Sequence, residues 1–339
     1  MNLKEEKYNR YALVREMMQT PGIISSFNPA VADPFIQEIR KTGGLFLSGE
    51  GSSRIFPAKH TMSLNLRRKP AFHLMTEGAT QACEYNLDDY AVFMASNSGQ
   101  TKEVIRLATS LKSRKHKAFF GLTANSNTKL EETVLRTNVL KCGKEDAVAA
   151  TKSVVEQGLF YDALLRKLSG EKMDGLEKAG KDADKALTIN VDPGITEIIS
   201  KAEIIYFAGR NNGVAEELAL KTNEITRKKS VYLEGTLAVH GIEEVMDKNE
   251  ALIWIDPFKS EIDKYNDCLV KGAGLNIIAI STEKTIFPTL VIPDAGQYAG
   301  YIQLMAGWNL LVEAGIALGI NLDKPARARK IGNEYVNPE

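Results

Sequence analysis

The residues of this chain best suited to chemistry sit together at Ser96-Asn97-Ser98-Gly99-Gln100-Thr101, directly after the apolar run 90–95 and before a helical pattern that opens near Lys102. Backbone N–H groups in the first turn of a helix lack intrahelical partners, and the helix dipole favours negative charge there. Ser96, Ser98 and Thr101 add hydroxyls, and Gly99 lets the backbone come close to a ligand. No Lys or Arg lies inside the loop, so its pattern is a neutral cradle for a phosphate monoester and not a nucleotide loop. A Ser/Thr helix cap with a glycine turn would read the same way. A second small-residue turn, Gly49-Glu50-Gly51-Ser52-Ser53, follows its own apolar run at 44–48 and favours a ligand, with Gly51, Ser52 and Ser53 as candidate contacts.

The elements around these turns follow a repeating rhythm. Runs 44–48, 90–95, 118–122 and 138–140 read as buried strands. Between and after them, 102–111 (Val104, Ile105, Leu107, Ala108, Leu111) and 153–168 (Val154, Leu159, Leu164, Leu165) carry helical spacing. Strand, helix, strand in this order means a parallel sheet covered on both faces. The segment 169–187 is rich in Lys, Gly and Asp, with Ala179, Ala183 and Ala186 spaced for a thin connecting helix. The rhythm then restarts with strands at 203–208, 251–255, 276–281 and 289–292 and helices at 262–273 and 301–318. Segments 46–59 and 206–221 share a strand, a small-residue turn and a helix, which suggests an internal duplication. The fold class expected is α/β, with two doubly wound parallel sheets. The expected boundaries are a first domain at 1–168, a connection at 169–189, a second domain at 190–320 and a tail at 321–339.

Composition narrows the partners. A chain of 339 residues is long enough for two cores. Lys plus Arg and Asp plus Glu number 43 each, so no broad basic field exists for nucleic acid or an anionic membrane. No apolar stretch is long enough to span a bilayer, and residues 1–15 are charged and mixed. Cys83, Cys142 and Cys268 are far apart without metal-ligand spacing, as suits buried thiols in a reducing compartment. These features lead us to expect a cytoplasmic protein with no metal and no cofactor.

In order along the chain, six segments resemble the sugar isomerase (SIS) domain family, above all the isomerase half of glucosamine-6-phosphate synthase and the SIS-type glucosamine-6-phosphate deaminases. Residues 15–21 (REMMQTP) resemble the family's N-terminal helix, 50–53 its Cys-Gly-Thr-Ser turn, and 96–101 its Ser-Gln-Ser-Gly-Glu-Thr loop. Residues 145–153 (EDAVAATKS) are similar to the segment that lines the sugar site, 217–224 (ELALKTNE) to Glu-Gly-Ala-Leu-Lys-Leu-Lys-Glu, and 323–330 to the family's closing Asp-x-Pro-Arg-x-Leu-Ala-Lys. The loop at 235–242 departs from the family: it is one residue longer, lacks the Glu and Lys, and has Ile242 in place of Pro. The chain as given starts without a glutaminase domain or cysteine nucleophile, so glutamine is not expected to supply nitrogen.

The resemblance implies tandem SIS domains of flavodoxin-like architecture acting on a hexosamine 6-phosphate, with fructose 6-phosphate and ammonia as products. It makes Glu224 the proton shuttle between C1 and C2, with burial raising its pKa toward that task. Read without the resemblance, Glu224 is a solvated helix carboxylate on a helix whose other face (Val214, Leu218, Ile225) is apolar. His240 becomes the ring-opening acid/base; on its own it is a loop histidine between small residues. Lys330 becomes a contact to the open-chain oxygen or the amine of an imine with the sugar; the bland alternative is a charge in the basic run 324–330. Asn97, Glu145, Val148 and Lys221 become substrate-binding or supporting residues. The resemblance also implies a homodimer, with His240 reaching the neighbouring subunit's site. Two alternatives remain: an isomerase or deglycase of another 6-phosphosugar, and a sugar-phosphate-sensing regulator. The sensor would keep 96–101 without needing Glu224, His240 and Lys330 together.

Overall fold

Parallel strands need a crossover, and most of them here carry a helix or a helical turn. The computed structural model describes residues 1–68, 72–327 and 334–335. The first sheet contains β1 (Gly44–Gly49), β2 (His73–Gly78), β3 (Tyr90–Ser96), β4 (Phe119–Thr123) and β5 (Arg136–Val139), all parallel in the order β2-β1-β3-β4-β5. Its main helices are α1 (Ile55–Arg67), α2 (Lys102–Ser113) and α3 (Lys152–Ser169). After α4 (Leu176–Thr188) come β6 (Ile204–Gly209), α5 (Val214–Thr226), β7 (Lys229–Glu234), β8 (Ala251–Ile255), β9 (Asn276–Ser281), β10 (Thr289–Val291) and α6 (Ala299–Ala317). These strands are also parallel, in the order β10-β9-β8-β6-β7. Read from β7, this is the arrangement of the first sheet, so the fold is α/β with two doubly wound sheets. The strand order reverses between β1 and β3 in one sheet and between β6 and β8 in the other, where such folds bind ligands.

Two strands, β2 and β7, lie outside the apolar runs. Both are edge strands with polar, half-solvated residues: His73 and Met75 are exposed on β2, and Lys229 and Val231 on β7. The segment 262–273 is a single α-turn over Ile262–Tyr265 that widens into a π-helix over Asn266–Gly272.

The chain divides into two units. The first-sheet unit holds Ser26–Glu145, Ala150–Leu176 and the pair Glu334 and Tyr335; the second-sheet unit holds Met1–Ser25, Asp146–Ala149 and residues 177–327. Residue order groups the N-terminal segment with the first half, but its hydrogen bonds tie it to the second sheet's helices and the chain that follows them. The Ala12 and Leu13 N–H groups donate to the Asp323 carboxylate at 3.0 and 2.8 Å, and the Tyr8 hydroxyl donates to Glu313 at 2.5 Å.

Each sheet is covered on both faces. On β3, Val92 and Met94 face α2 with Val104, Leu107 and Leu111, while Phe93 points the other way, its ring 5.2 Å from Phe35 and 5.6 Å from Phe160. In the second sheet, Trp254 stacks on Tyr265 at 3.7 Å on one face. On the other, α5 and α6 approach so closely at Gly307 that an added Cβ would lie 2.4 Å from the Leu218 methyl, which fixes α5 against the sheet. Among the described residues no helix is long and apolar enough to cross a membrane.

Candidate functional site

The loop Ser96–Thr101 lies at the C-terminal end of β3, beside the β1/β3 switch point, and leads straight into α2. Thr101 occupies the helix N-cap, but its side chain makes no capping bond. Its hydroxyl pairs instead with the buried Ser96 hydroxyl at 2.8 Å, and Ser96 Oγ also accepts from the Thr101 N–H at 3.4 Å. Thr101 therefore gives the first turn of α2 no side-chain acceptor. Ser98 folds back to accept from the Gln100 N–H at 3.1 Å. Gly99 takes a left-handed φ of +65°, and a Cβ there would lie 2.4 Å from Thr128 Cβ, so only glycine fits. Its carbonyl accepts from Leu130 N–H at 3.1 Å, and the Asn97 carbonyl accepts from Ala124 N–H at 3.1 Å and Asn125 Nδ2 at 2.9 Å. These bonds hold the loop's shape through its carbonyls, while among the described residues the Ser96, Ser98 and Thr101 hydroxyls bond only within the loop.

Glu145 has a role that spacing along the sequence does not reveal. It is buried at the head of α3, where Oε1 accepts from the N–H groups of Thr151 (2.6 Å) and Lys152 (2.8 Å) and from the Thr151 hydroxyl (3.3 Å). Oε2 accepts from Asn97 Nδ2 at 2.5 Å and from the Ser153 hydroxyl at 2.6 Å. The carboxylate thus holds the α3 N-terminus and the phosphate-type loop together. Three residues further on, the structure assigns Val148 to the second-sheet unit, half-buried, its N–H donating to the Asp323 carbonyl at 3.3 Å.

The second turn, Gly51–Ser53, is a short 3-10 segment between β1 and α1, with Gly51 exposed and Ser52 and Ser53 half-buried. Glu50 accepts from the Thr80 N–H at 3.3 Å, turning its carboxylate toward the end of β2. The described tail residues also reach this unit's loop. Glu334 forms an antiparallel bridge with Thr101, and the Tyr335 N–H donates to the Gln100 carbonyl at 2.6 Å. Sequence reasoning did not single out these two residues, because neither carries a recognisable motif. Lys330 lies outside the described residues.

In the second-sheet unit, α5 places Glu217, Lys221 and Glu224 on one stripe. Glu217 and Lys221 are fully buried, while the Glu224 side chain is 24% exposed. The Lys221 ammonium donates to Glu224 Oε2 at 2.7 Å and lies 3.4 Å from Glu217 Oε1. Burial works against that ammonium, but the Glu224 and Glu217 carboxylates outweigh it and hold its pKa above the ordinary lysine value. Lys221 is therefore a fixed cation and not an amine nucleophile. Among the described residues, one Glu224 oxygen is held by the Lys221 ammonium and its side chain keeps contact with solvent, in contrast to the full burial of Glu217 and Lys221.

His240 follows β7 and is exposed just after the turn Leu237–Val239, with Gly241 at φ +107° behind it. Its side chain has no partner among the described residues. Exposed Leu237 and Val245 lie on either side of it in sequence.

Two doubly wound five-stranded sheets, the first with an uncapped hydroxyl loop at its switch point, define the class of fold. Residues 38–167, from the approach to β1 through most of α3, match the family model of the SIS domain. No curated protein matches the chain in sequence. Among solved structures, the chain is similar to the C-terminal domain of glucosamine-fructose-6-phosphate aminotransferase from Francisella tularensis, with a TM-score of 0.78 and 21% identity over 95% of this chain and 100% of that one. It is similar to tagatose-6-phosphate ketose/aldose isomerase from Escherichia coli, with a TM-score of 0.79 and 14% identity over 96% and 99% of the two chains. A third is glucosamine-6-phosphate deaminase from Thermotoga maritima, with a TM-score of 0.73 and 17% identity over 94% and 98%. At these identities the likeness is one of fold.

Proposed function

We propose that the chain is a tandem SIS protein that isomerises a hexosamine 6-phosphate and releases fructose 6-phosphate and ammonia. One observation carries the reading: Thr101 occupies the α2 N-cap without capping it and keeps its hydroxyl beside the helix end, as an anion cradle requires. The loop holds the phosphate. Ring opening, aided by His240, exposes the C1 aldehyde. Glu224 takes the C2 proton and returns it to C1, while the C2 amine gives up one proton and the aldehyde oxygen gains one to become a hydroxyl. The product is an imine at C2, and water converts it to the ketone with loss of ammonia. Lys221 holds Glu224 in place, and Lys330 contacts the open-chain oxygen. The exposed Leu237 and Val245 around His240 fit a loop covered by a second copy in a homodimer, which sedimentation at micromolar concentration tests.

Incubating the protein with a panel of 6-phosphosugars, and following ketose and ammonia together, tests the reaction. Equal amounts of both from glucosamine 6-phosphate are expected. Ketose alone, from a sugar without an amine, favours the second reading, an isomerase of another 6-phosphosugar, which the similarity to the tagatose-6-phosphate isomerase fold supports. No product from any sugar phosphate would overturn both.

A further inference from the structure

The Asn97 carboxamide is held by only one of its ends. Nδ2 donates to Glu145 Oε2 at 2.5 Å and to Ser153 Oγ at 2.6 Å, while the Ser153 hydroxyl donates to that same Glu145 oxygen at 2.6 Å. A carboxylate only accepts, and Ser153 has already given its one hydrogen, so both partners require a donor from Asn97. Turning the amide over would press Oδ1 against a carboxylate oxygen. Glu145 has no room to yield, because it is buried and fixed by the Thr151 and Lys152 N–H groups at 2.6 and 2.8 Å. Among the described residues no donor reaches Asn97 Oδ1, and Asn97 is half-buried between Ser96 and Ser98. A fixed acceptor thus stands in a loop that otherwise offers a helix N-terminus and hydroxyls.

We propose that Asn97 Oδ1 is the specificity-determining group of this loop: it accepts a hydrogen bond from a hydroxyl or ammonium of the sugar. Glu145 and Ser153 are the positioning residues that lock its orientation. The oxygens of a dianionic phosphate monoester are acceptors, so Oδ1 disfavours them and leaves them to the donors at the head of α2, whereas a sugar ring carries donors. The inference rests on the phosphate reading of the loop and deepens it, because it separates the group that reads the sugar from the groups that hold the anion.

The test compares binding of inorganic phosphate and of glucosamine 6-phosphate to the full chain, by calorimetry, for wild type, Asn97→Ala and Glu145→Gln. Asn97→Ala should weaken the sugar phosphate about tenfold and inorganic phosphate less than about twofold. Glu145→Gln supplies a donor beneath Asn97, lets its amide turn over, and should shift the ratio of the two affinities in the same direction. A merely structural role would move both ligands alike. Equal weakening of both ligands by Asn97→Ala, or no weakening of either, overturns the proposal even if Glu145→Gln does not fold. If wild type binds neither ligand, the phosphate reading itself falls and takes the proposal with it. If wild type binds both and Asn97→Ala does not discriminate between them, only the proposal falls.

Discussion

Replacing Lys221 with Met should destabilise the second-sheet unit strongly and selectively. The side chains are similar in length, so the change removes charge more than volume. It leaves Glu217, fully buried, without the ammonium 3.4 Å away, and releases Glu224 from its 2.7 Å bond. Removing one partner of a buried pair costs about 3–5 kcal/mol, because the remaining charge is left uncompensated. At a urea slope of about 2 kcal/mol per molar, the midpoint should fall by roughly 2 M. The reporter is built in: the chain has 2 tryptophans, Trp254 on β8 and Trp308 on α6, both buried in this unit, so their fluorescence follows its unfolding. The double variant Glu217→Gln/Lys221→Met removes both charges and should recover more than half of the loss. A pH arm gives the sign. Because the folded Lys221 pKa is raised, its contribution is fully present below the unfolded value of about 10.4 and is lost as pH rises through the folded one. Wild type should lose stability in that range, and Lys221→Met should lack the step. A loss under about 1 kcal/mol, or no recovery in the double variant, would refute the buried clamp.

Two further outcomes are expected. Changing Ser96 and Thr101 to Ala together should raise KM about 10- to 100-fold with kcat little changed, since hydrogen bonds to a charged phosphate are lost; equal protection of wild type and variant against heat by inorganic phosphate would contradict the cradle. His60, buried and stacked on Phe56 at 5.0 Å, has its pKa pulled down from 6.5 to about 3 by burial, so it stays neutral in the folded state. The first-sheet unit should then lose stability as pH falls from 6.5 toward 3, by about 1.4 kcal/mol per unit from this group, and His60→Leu should flatten that slope in circular dichroism melts.

The strands that formed from continuous apolar runs, such as β3 and β8, were legible because both faces of a doubly wound sheet are dry. β2 and β7 were not, since an edge strand needs only one partner and tolerates exposed His73 or Lys229. The helix that carries Glu224 was visible through its apolar face, but the burial of Glu217 and Lys221 depends on Gly307 of α6 admitting Leu218 of α5. Glu145 was singled out through motif resemblance. Its bond to Asn97 spans 48 residues, and no local pattern encodes it. Likewise, the amides of Ala12 and Leu13 meet Asp323 about three hundred positions away, so the N-terminal segment could not be assigned to its unit by order alone.

The central claim is that Glu224 carries the proton between C1 and C2. The direct measurement is incubation of glucosamine 6-phosphate with the protein in deuterated water, followed by NMR of C1 and C2. Wild type should place solvent deuterium on these carbons. Glu224→Gln keeps shape and hydrogen-bonding reach but cannot take a proton, so exchange should stop and kcat should fall about 10²–10⁴-fold with little change in phosphate affinity. Full exchange by the Gln variant would contradict the account and move the base to another group, while leaving the fold and the phosphate loop untouched.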